Sequence, residues 1–157
     1  MREDLYLNDL AEETGLVFEK YDSDHYDMND FVPFYMNSNF RKACDKRNAR
    51  EATSLAWEQK RKISEELNKK NIRLKKHNGL QYDPILCAWI GEFYTYLQAY
   101  TGLSSKKIIE KYPFNHMYAH SKGLHDLNPP YAAVRWAENA GIKERTGIKI
   151  LPDKIKI

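Results

Sequence analysis

The sequence predicts a mainly α fold: a single-domain helical bundle with one long basic helix, a buried aromatic helix and a small C-terminal β-hairpin. Three observations carry that expectation. Apolar residues recur at three- and four-residue intervals along most of the chain. Between Asn39 and Lys76 there is neither Gly nor Pro. Strict alternation of apolar and polar residues is confined to the stretch after Gly147. A chain of 157 residues is one domain's worth and can bury roughly two thirds of its unfolded surface around one core. The domain 1–157 then divides into an acidic N-terminal segment (1–30), the long basic helix (39–77), a helical core (84–141) and the hairpin (147–157).

Taken in order, Arg2 to Thr14 reads as a short acidic helix with Leu5, Leu10 and Ala11 inward and Gly15 as its stop. Leu16-Val17-Phe18 can begin a short strand, and Tyr21-Asp22-Ser23-Asp24-His25 is rich in turn formers. Asp30 can cap a helix in which Pro33 occupies the tolerated first turn, with Phe31, Val32, Phe34 and Tyr35 around it. Ser38 offers the next cap. From Asn39 to Lys76 a stripe of Ala52, Ala56, Ile63, Leu67 and Leu74 marks one side of a long helix, with a break near Asn48 and a stop at Asn78-Gly79. Gln59 and Lys70 interrupt that stripe, so most of the girth is expected in water, with Lys62, Lys69, Arg73 and Lys76 on the outer face.

Pro84 opens the most apolar element, Ile85 to Tyr100, where Trp89, Ile90, Phe93, Tyr94 and Leu97 leave hardly any polar face; this is the expected core helix. Thr101-Gly102 ends it. Ser104 or Ser105 caps a short helix through Lys111, Pro113 starts another through about His120, and Asn128-Pro129-Pro130 starts a last one, Tyr131 to Asn139, that Gly141 terminates. In the tail, alternation on both sides of Pro152-Asp153 gives the hairpin pattern. Two strands alone are marginal in water, so the pair is expected to pack on the helices, find a third strand, or pair with a second copy as a homodimer.

The charge is sorted along the chain. Residues 1–30 hold ten acidic and two basic groups; residues 41–76 hold thirteen Lys and Arg against five acids. The net +3 therefore hides two opposed poles. The chain starts without a basic n-region and apolar run, and no stretch approaches the ~18 apolar residues of a membrane span, which points to a cytoplasmic protein without a membrane partner. Cys44 and Cys87 are too few and too far apart for a disulfide framework or a Cys-x-x-Cys site.

Arg41, Lys42, Lys46, Arg47, Lys62, Lys69, Arg73 and Lys76 are the candidate contacts for nucleic acid or a protein partner, because cations on one helix face neutralise phosphates or carboxylates. No helix-turn-helix, zinc finger or aromatic RNA-binding signature adds base readout, although Trp57 and the tyrosines offer stacking surfaces. A solvated face balanced by the acidic start is the plainer alternative. His116 and His120, four apart, could present two imidazoles to one metal, with His125 close behind and Glu92 as a further carboxylate; a metal needs three or four ligands, and helix-terminus histidines are the alternative. Asp22, Asp24, Asp27, Asn29 and Asp30 lack the Gly and Glu of a calcium loop and read as a turn with a cap. Scattered glycines form no phosphate loop, Ser104, Ser105 and Ser121 lack a nucleophile turn, and no cofactor is implied.

The stretch Trp89-Ile90-Gly91-Glu92-Phe93-Tyr94-Thr95-Tyr96-Leu97-Gln98, followed by Gly102-Leu103-Ser104-Ser105-Lys106-Lys107-Ile108-Ile109-Glu110-Lys111 and Gly123-Leu124-His125-Asp126-Leu127, resembles a group of small helical bacterial proteins. In that group an aromatic helix leads into a Gly-x-Ser helix and a Leu-His corner, and some members sit beside ADP-ribosyltransferase-like proteins in toxin–antitoxin-like gene pairs. The resemblance covers residues 89–138, about a third of the chain, and excludes the basic helix and the tail. It implies a protein-binding role and transfers no catalytic residue. Two classes of function follow: a non-enzymatic, antitoxin-like or other regulatory interaction protein of a bacterium or phage, or a nucleic-acid binder working through 41–76.

Overall fold

The computed structural model describes residues 4–79, 81–143 and 146–151. Among the described residues the elements are α1 (Leu7–Ser23), α2 (Met28–Asn37), α3 (Asn39–Asp45), α4 (Ala49–Ala52), α5 (Ala56–Lys69), α6 (Pro84–Thr101), α7 (Ser105–Lys111), α8 (Phe114–Leu124) and α9 (Pro129–Asn139). The mainly α architecture expected from the sequence is what forms. No described helix is long and apolar enough to cross a membrane.

α6 is the axis of the bundle. Asp83 caps it by accepting from the Ile85 N–H, Pro84 sits at its start, and Gly102 ends it in the left-handed conformation at φ 71°. Cys87, Ile90, Phe93, Tyr94 and Leu97 are fully buried, as an apolar helix surrounded by others must be. α1 packs along α6 more extensively than any other pair, and α9 and α8 cover other sides. Aromatic edge-to-face contacts tie the layers together: Phe18 against Phe31, Tyr35 and Tyr94, and Trp136 against Phe93 and Tyr112. Ser104 caps α7 through the Lys107 N–H, and Asn128-Pro129 starts α9, both where the sequence placed them.

Three expectations about local structure are overturned. Gly15 does not stop α1; it lies inside it, and Leu16-Val17-Phe18 are helical, with Val17 and Phe18 fully buried. The reason is close approach. A Cβ on Gly15 would lie 2.8 Å from the Ala88 carbonyl oxygen, and one on Gly91 would lie 3.1 Å from the Thr14 oxygen and the Gly15 Cα. These glycines let α1 and α6 touch backbone to backbone, a packing role that reads in sequence as a helix stop. Leu5, expected inward, is instead exposed.

The second correction concerns α2. Asp27, not Asp30, is its cap, accepting from the Asn29 N–H, so Pro33 falls inside the helix. Met28, fully buried, anchors that earlier first turn. Asp30 is engaged elsewhere, accepting from the Lys75 N–H at 2.8 Å.

The third is the long basic helix 39–77, which is three helices and an extended strap. The break near Asn48 is real: Arg47 adopts φ 61°, the Asn48 N–H donates to the Ala43 carbonyl, and the Asn48 side chain accepts from the Arg50 and Glu51 N–H groups to start α4. A further break precedes α5, where the Leu55 N–H donates to Glu58 Oε1 and the Ala56 N–H to Glu13 Oε2. α5 stops at Lys69, with Asn71 at φ 55° and the Ile72 N–H donating to the Leu67 carbonyl. Absence of Gly and Pro does not make one helix when Asn and Ser can cap and Asn or Arg can adopt the left-handed conformation.

Residues 72–77 run back extended along the turn after α1. The Asp27 N–H donates to the Lys75 carbonyl, the His77 N–H donates to the His25 carbonyl, and Tyr26 and Lys76 form an antiparallel bridge. The hairpin expected over 147–157 falls in its second half on 152–157, outside the described residues, as does dimerisation through it. Ile148 and Ile150 are buried, and the Thr146 hydroxyl donates to the Ala99 carbonyl.

Candidate interaction surface

The eight candidate cations divide by burial into two groups. Arg41, expected as a surface contact, is 1% exposed and forms the polar centre of the core. Its Nε donates to Ser105 Oγ at 3.0 Å, one terminal nitrogen to Thr95 Oγ1 at 2.9 Å, and the other to Thr14 Oγ1 and the Tyr35 hydroxyl, each at 3.3 Å. Tyr35 donates onward to Gln59 Oε1 at 2.9 Å, so the Thr14 hydroxyl is the donor in its 2.9 Å bond to Tyr35. Asp45 supplies the counter-charge 3.9 Å from Nε and accepts from both the hydroxyl and the N–H of Ser105 at 2.7 Å. One guanidinium thereby joins α1, α2, α3, α6 and α7, and through Tyr35 and Gln59 also α5. The planar fork explains why Arg is required: a single ammonium could not reach hydroxyls in so many directions. Gln59, a polar interruption of the apolar stripe in the sequence, is buried because it closes this network. Burial also pushes the Tyr35 hydroxyl and the Cys44 thiol each up to about 12, keeping both neutral beside the cation.

Arg47 and Lys62 are also withdrawn. Arg47 is hydrogen-bonded to Gln98 and lies 3.7 Å from Asp4; Lys62 donates to Glu51 and Ser54 at 2.8 Å each and sits over the Phe40 ring. The two charge poles partly neutralise each other across the fold through Asp4–Arg47 and Asp24–Lys60, and Asp30 adds a hydrogen bond from the Lys75 N–H. Lys42, Lys46, Lys69, Arg73 and Lys76 remain in solvent, and Lys42 and Lys46 stand apart from the rest on α3.

Lys69, Arg73 and Lys76 cluster where α5 turns into the strap. There a groove of about 580 Å³ is lined by Tyr21, Tyr26, Leu67, Asn68, Arg73 and Lys76, among others. Its floor is apolar, its wall carries the amides of Asn68 and Asn71, and its lip is cationic. Lys69, Arg73 and Lys75 have no carboxylate within ion-pair distance among the described residues, and Lys76 lies 4.8 Å over the Tyr26 ring. The faces of the groove tyrosines are occupied: Tyr21 stacks on Phe31 at 3.8 Å and carries Lys60 on its ring, and Lys76 covers Tyr26.

The groove is one end of a longer stripe. Trp57, Arg61, Ser64 and Asn68 follow at intervals of four, three and four residues, one face of α5 spanning about 16 Å, and Asn71 lies in the turn just beyond the helix. At its head Trp57 is 64% exposed, with Leu55 at 47% beside it and Leu16 at 46% on α1, one turn from the Glu13 that holds the Ala56 N–H. Of the other tryptophans, Trp89 is buried in the core and Trp136, half-buried, packs against it. Sequence reading gave Trp57 only a generic stacking role; its i, i+4, i+7 relation to Ser64 and the groove is the signal that finds the surface.

His116 and His120 sit with ring centroids 4.6 Å apart, both edge-on to Trp136. His125 does not join them: its Nδ1 lies 3.0 and 3.1 Å from the Ser121 and Lys122 carbonyls, to which it donates, and its Nε2 is 3.6 Å from Asp126. Among the described residues no three His, Cys, Asp or Glu side chains converge to hold a metal. Asp22, Asp24, Asp27 and Asp30 are spent separately, Asp22 buried, Asp24 near Lys20 and Lys60, Asp27 as a cap, and Asp30 on the strap.

Glu92 lies half-buried in a second groove of about 560 Å³, with Asn8, Tyr96 and Asn128 among its lining. Burial, with the neighbouring Glu12 adding to it, pushes its carboxyl up to about 7, and burial pushes Asp22 up to about 6. A folded pKa above the unfolded one means the native state holds the proton more tightly, so this contribution is complete below the unfolded pKa and is lost as pH rises through about 7. Stability is therefore expected to fall between pH 5 and pH 8. Glu92→Gln should flatten that decline and be the more stable form at pH 8 by about 1 kcal/mol, after allowing for solvent screening; urea unfolding across the pH series measures it.

Comparison with protein-family models, with curated proteins and with solved structures gives no match for this chain.

Proposed function

We propose that this chain is a non-enzymatic interaction protein that binds a protein partner stoichiometrically through the α5 stripe running from Trp57 to the cationic groove. The observation that carries this reading is Trp57 itself, 64% exposed at the head of a stripe whose far end gathers Lys69, Arg73 and Lys76 in solvent. Tryptophan and arginine contribute most of the energy in many protein interfaces, and an exposed tryptophan with an exposed leucine, Leu55, two residues before it is a surface that gains from being covered. The cations select a partner of acidic surface and speed encounter more than they add affinity. The resemblance of residues 89–138 to proteins of toxin–antitoxin-like gene pairs supports a regulatory, antitoxin-like setting, with α6 and α7 as scaffold and the stripe as contact.

The nucleic-acid reading keeps one favourable observation, the unpaired cations at the groove. Against it, Arg41, Arg47 and Lys62 are engaged internally, and Tyr21 and Tyr26 have their faces covered, so the groove lacks free aromatic platforms for bases.

Nuclease-treated affinity capture from the native host, followed by native mass spectrometry, tests the reading. An equimolar protein complex is expected with the wild-type chain. Trp57→Ala should weaken it about tenfold or more, and Lys69→Glu with Arg73→Glu should slow its formation. These variants touch no buried contact, so unfolding free energies should stay within about 0.5 kcal/mol of wild type. Capture that is equally strong with Trp57→Ala, or that vanishes on nuclease treatment, contradicts the proposal.

A further inference from the structure

We propose that the groove between α1, α5 and the strap takes an extended, acidic segment of the partner, which adds as a strand to the free edge of residues 74–76. The inference rests on reading the α5 stripe as a protein-binding face and specifies what the face receives.

The backbone pattern of the strap supplies the first argument. Asp27 donates to the Lys75 carbonyl and His77 donates to the His25 carbonyl, which is the pattern that brackets a non-hydrogen-bonded antiparallel pair, here Tyr26 and Lys76. The backbone groups of Lys75 and His77 are thus turned toward the 25–27 turn, and the Lys75 N–H is taken by Asp30. In an extended chain successive residues direct their N–H and C=O to opposite sides. The N–H and C=O of Leu74 and Lys76 therefore point away from the turn, and neither has a partner among the described residues. An unpaired edge is a template for another strand.

Side chains supply the second. Leu67, Leu74 and Tyr21 give the groove an apolar floor, Ile72 is 43% exposed at its rim, and Arg73 and Lys76 border it, with Lys69 and Lys75 exposed beside them. A strand presents one set of side chains to such a floor and the alternate set to such a lip, so the fitting sequence alternates β-branched or aromatic residues with Asp or Glu. The carboxylates of this region do not oppose it: Asp24 lies by Lys20 and Lys60, Asp27 caps α2, and Asp30 holds the strap. About five extended residues span the ~16 Å from the groove at Asn68 to Trp57, so one segment can occupy both ends. A nucleic-acid strand could use the cations but not the peptide edge.

The test is selection of a display library of random peptides, about twelve residues long, on the whole chain, with oligo-dT as a separate probe. Enriched peptides should be net acidic with alternating β-branched or aromatic residues. A labelled selected peptide should bind about tenfold more weakly to Arg73→Glu, Lys76→Glu than to wild type. On wild-type protein saturated with that peptide, hydrogen exchange of the Leu74 and Lys76 amides should slow about tenfold, while the Asp27 and His77 amides, already bonded, stay unchanged. Absence of acidic enrichment, affinity indifferent to charge reversal, or unaltered exchange at Leu74 and Lys76 overturns the inference. Oligo-dT binding tighter than the peptides overturns it in favour of nucleic acid. Partner capture that still depends on Trp57 while the peptide result fails leaves the face intact and removes only the strand addition.

Discussion

Arg41→Ala is expected to destabilise the protein by about 3–5 kcal/mol, the largest effect of any single truncation considered, measured as the shift in urea unfolding free energy. The side chain is fully buried and its guanidinium bonds to Ser105, Thr95, Thr14 and Tyr35, so removal leaves a cavity and takes away the bond that each of these buried hydroxyls, on α1, α2, α6 and α7, accepted from the guanidinium. It also leaves Asp45 without its nearby cation. Arg41→Lys should recover little of the loss, because three donors on one nitrogen cannot reproduce a planar fork. A surface role for Arg41 would make Arg41→Lys nearly silent, so the pair of variants separates the core reading from the sequence expectation.

Gly91→Val is the second large effect, expected to cost at least about 3 kcal/mol, with Gly91→Ala and Gly15→Ala at about 1–3. A Cβ at Gly91 meets Thr14 and Gly15 backbone atoms at 3.1–3.2 Å, and one at Gly15 meets the Ala88 oxygen at 2.8 Å; backbone cannot rotate aside as a side chain can. α1 and α6 must separate, and theirs is the most extensive helix pairing in the fold. Moving those helices also strains the Arg41 network, since Thr14 and Thr95 stand on them. Gly123→Ala should do the reverse and stabilise by about 0.5–1 kcal/mol, because Gly123 is near the end of α8 with nothing within 4 Å of the added methyl. One substitution type with opposite signs at these positions, read by thermal unfolding, isolates close approach from helix propensity.

Periodicity and several caps were legible where they act locally, although the local Asp27 cap of α2 and the α5 start at Leu55 were not. The core helix Ile85 to Tyr100, the Ser104 cap, the Asn128-Pro129 start and the break near Asn48 could be read because each depends on neighbours in sequence. Most of what could not be read depends on partners distant in sequence. Gly15 is a stop or a contact depending on whether Gly91 faces it. Gln59 and Arg41 look like solvent residues until Tyr35, Thr14 and Ser105 are brought round them. The charge sorting was correct as arithmetic, but its meaning required the fold: Asp4 and Asp24 pair with Arg47 and Lys60, while Lys42 and Lys46 near α3 and Lys69, Arg73 and Lys76 at the end of the segment stay in solvent. Trp57 carries no chemical motif and gains significance only from its exposure, with Leu55 exposed two residues before it.

The protein-binding claim centres on Trp57, and site-specific photo-crosslinking tests it there. With a benzoylphenylalanine in place of Trp57, irradiation in native cells should yield a discrete adduct with one protein, competed by wild-type chain and absent when the photoreactive group is placed at Gly123 on α8. An adduct with nucleic acid, or the same adduct profile from both positions, would contradict the account.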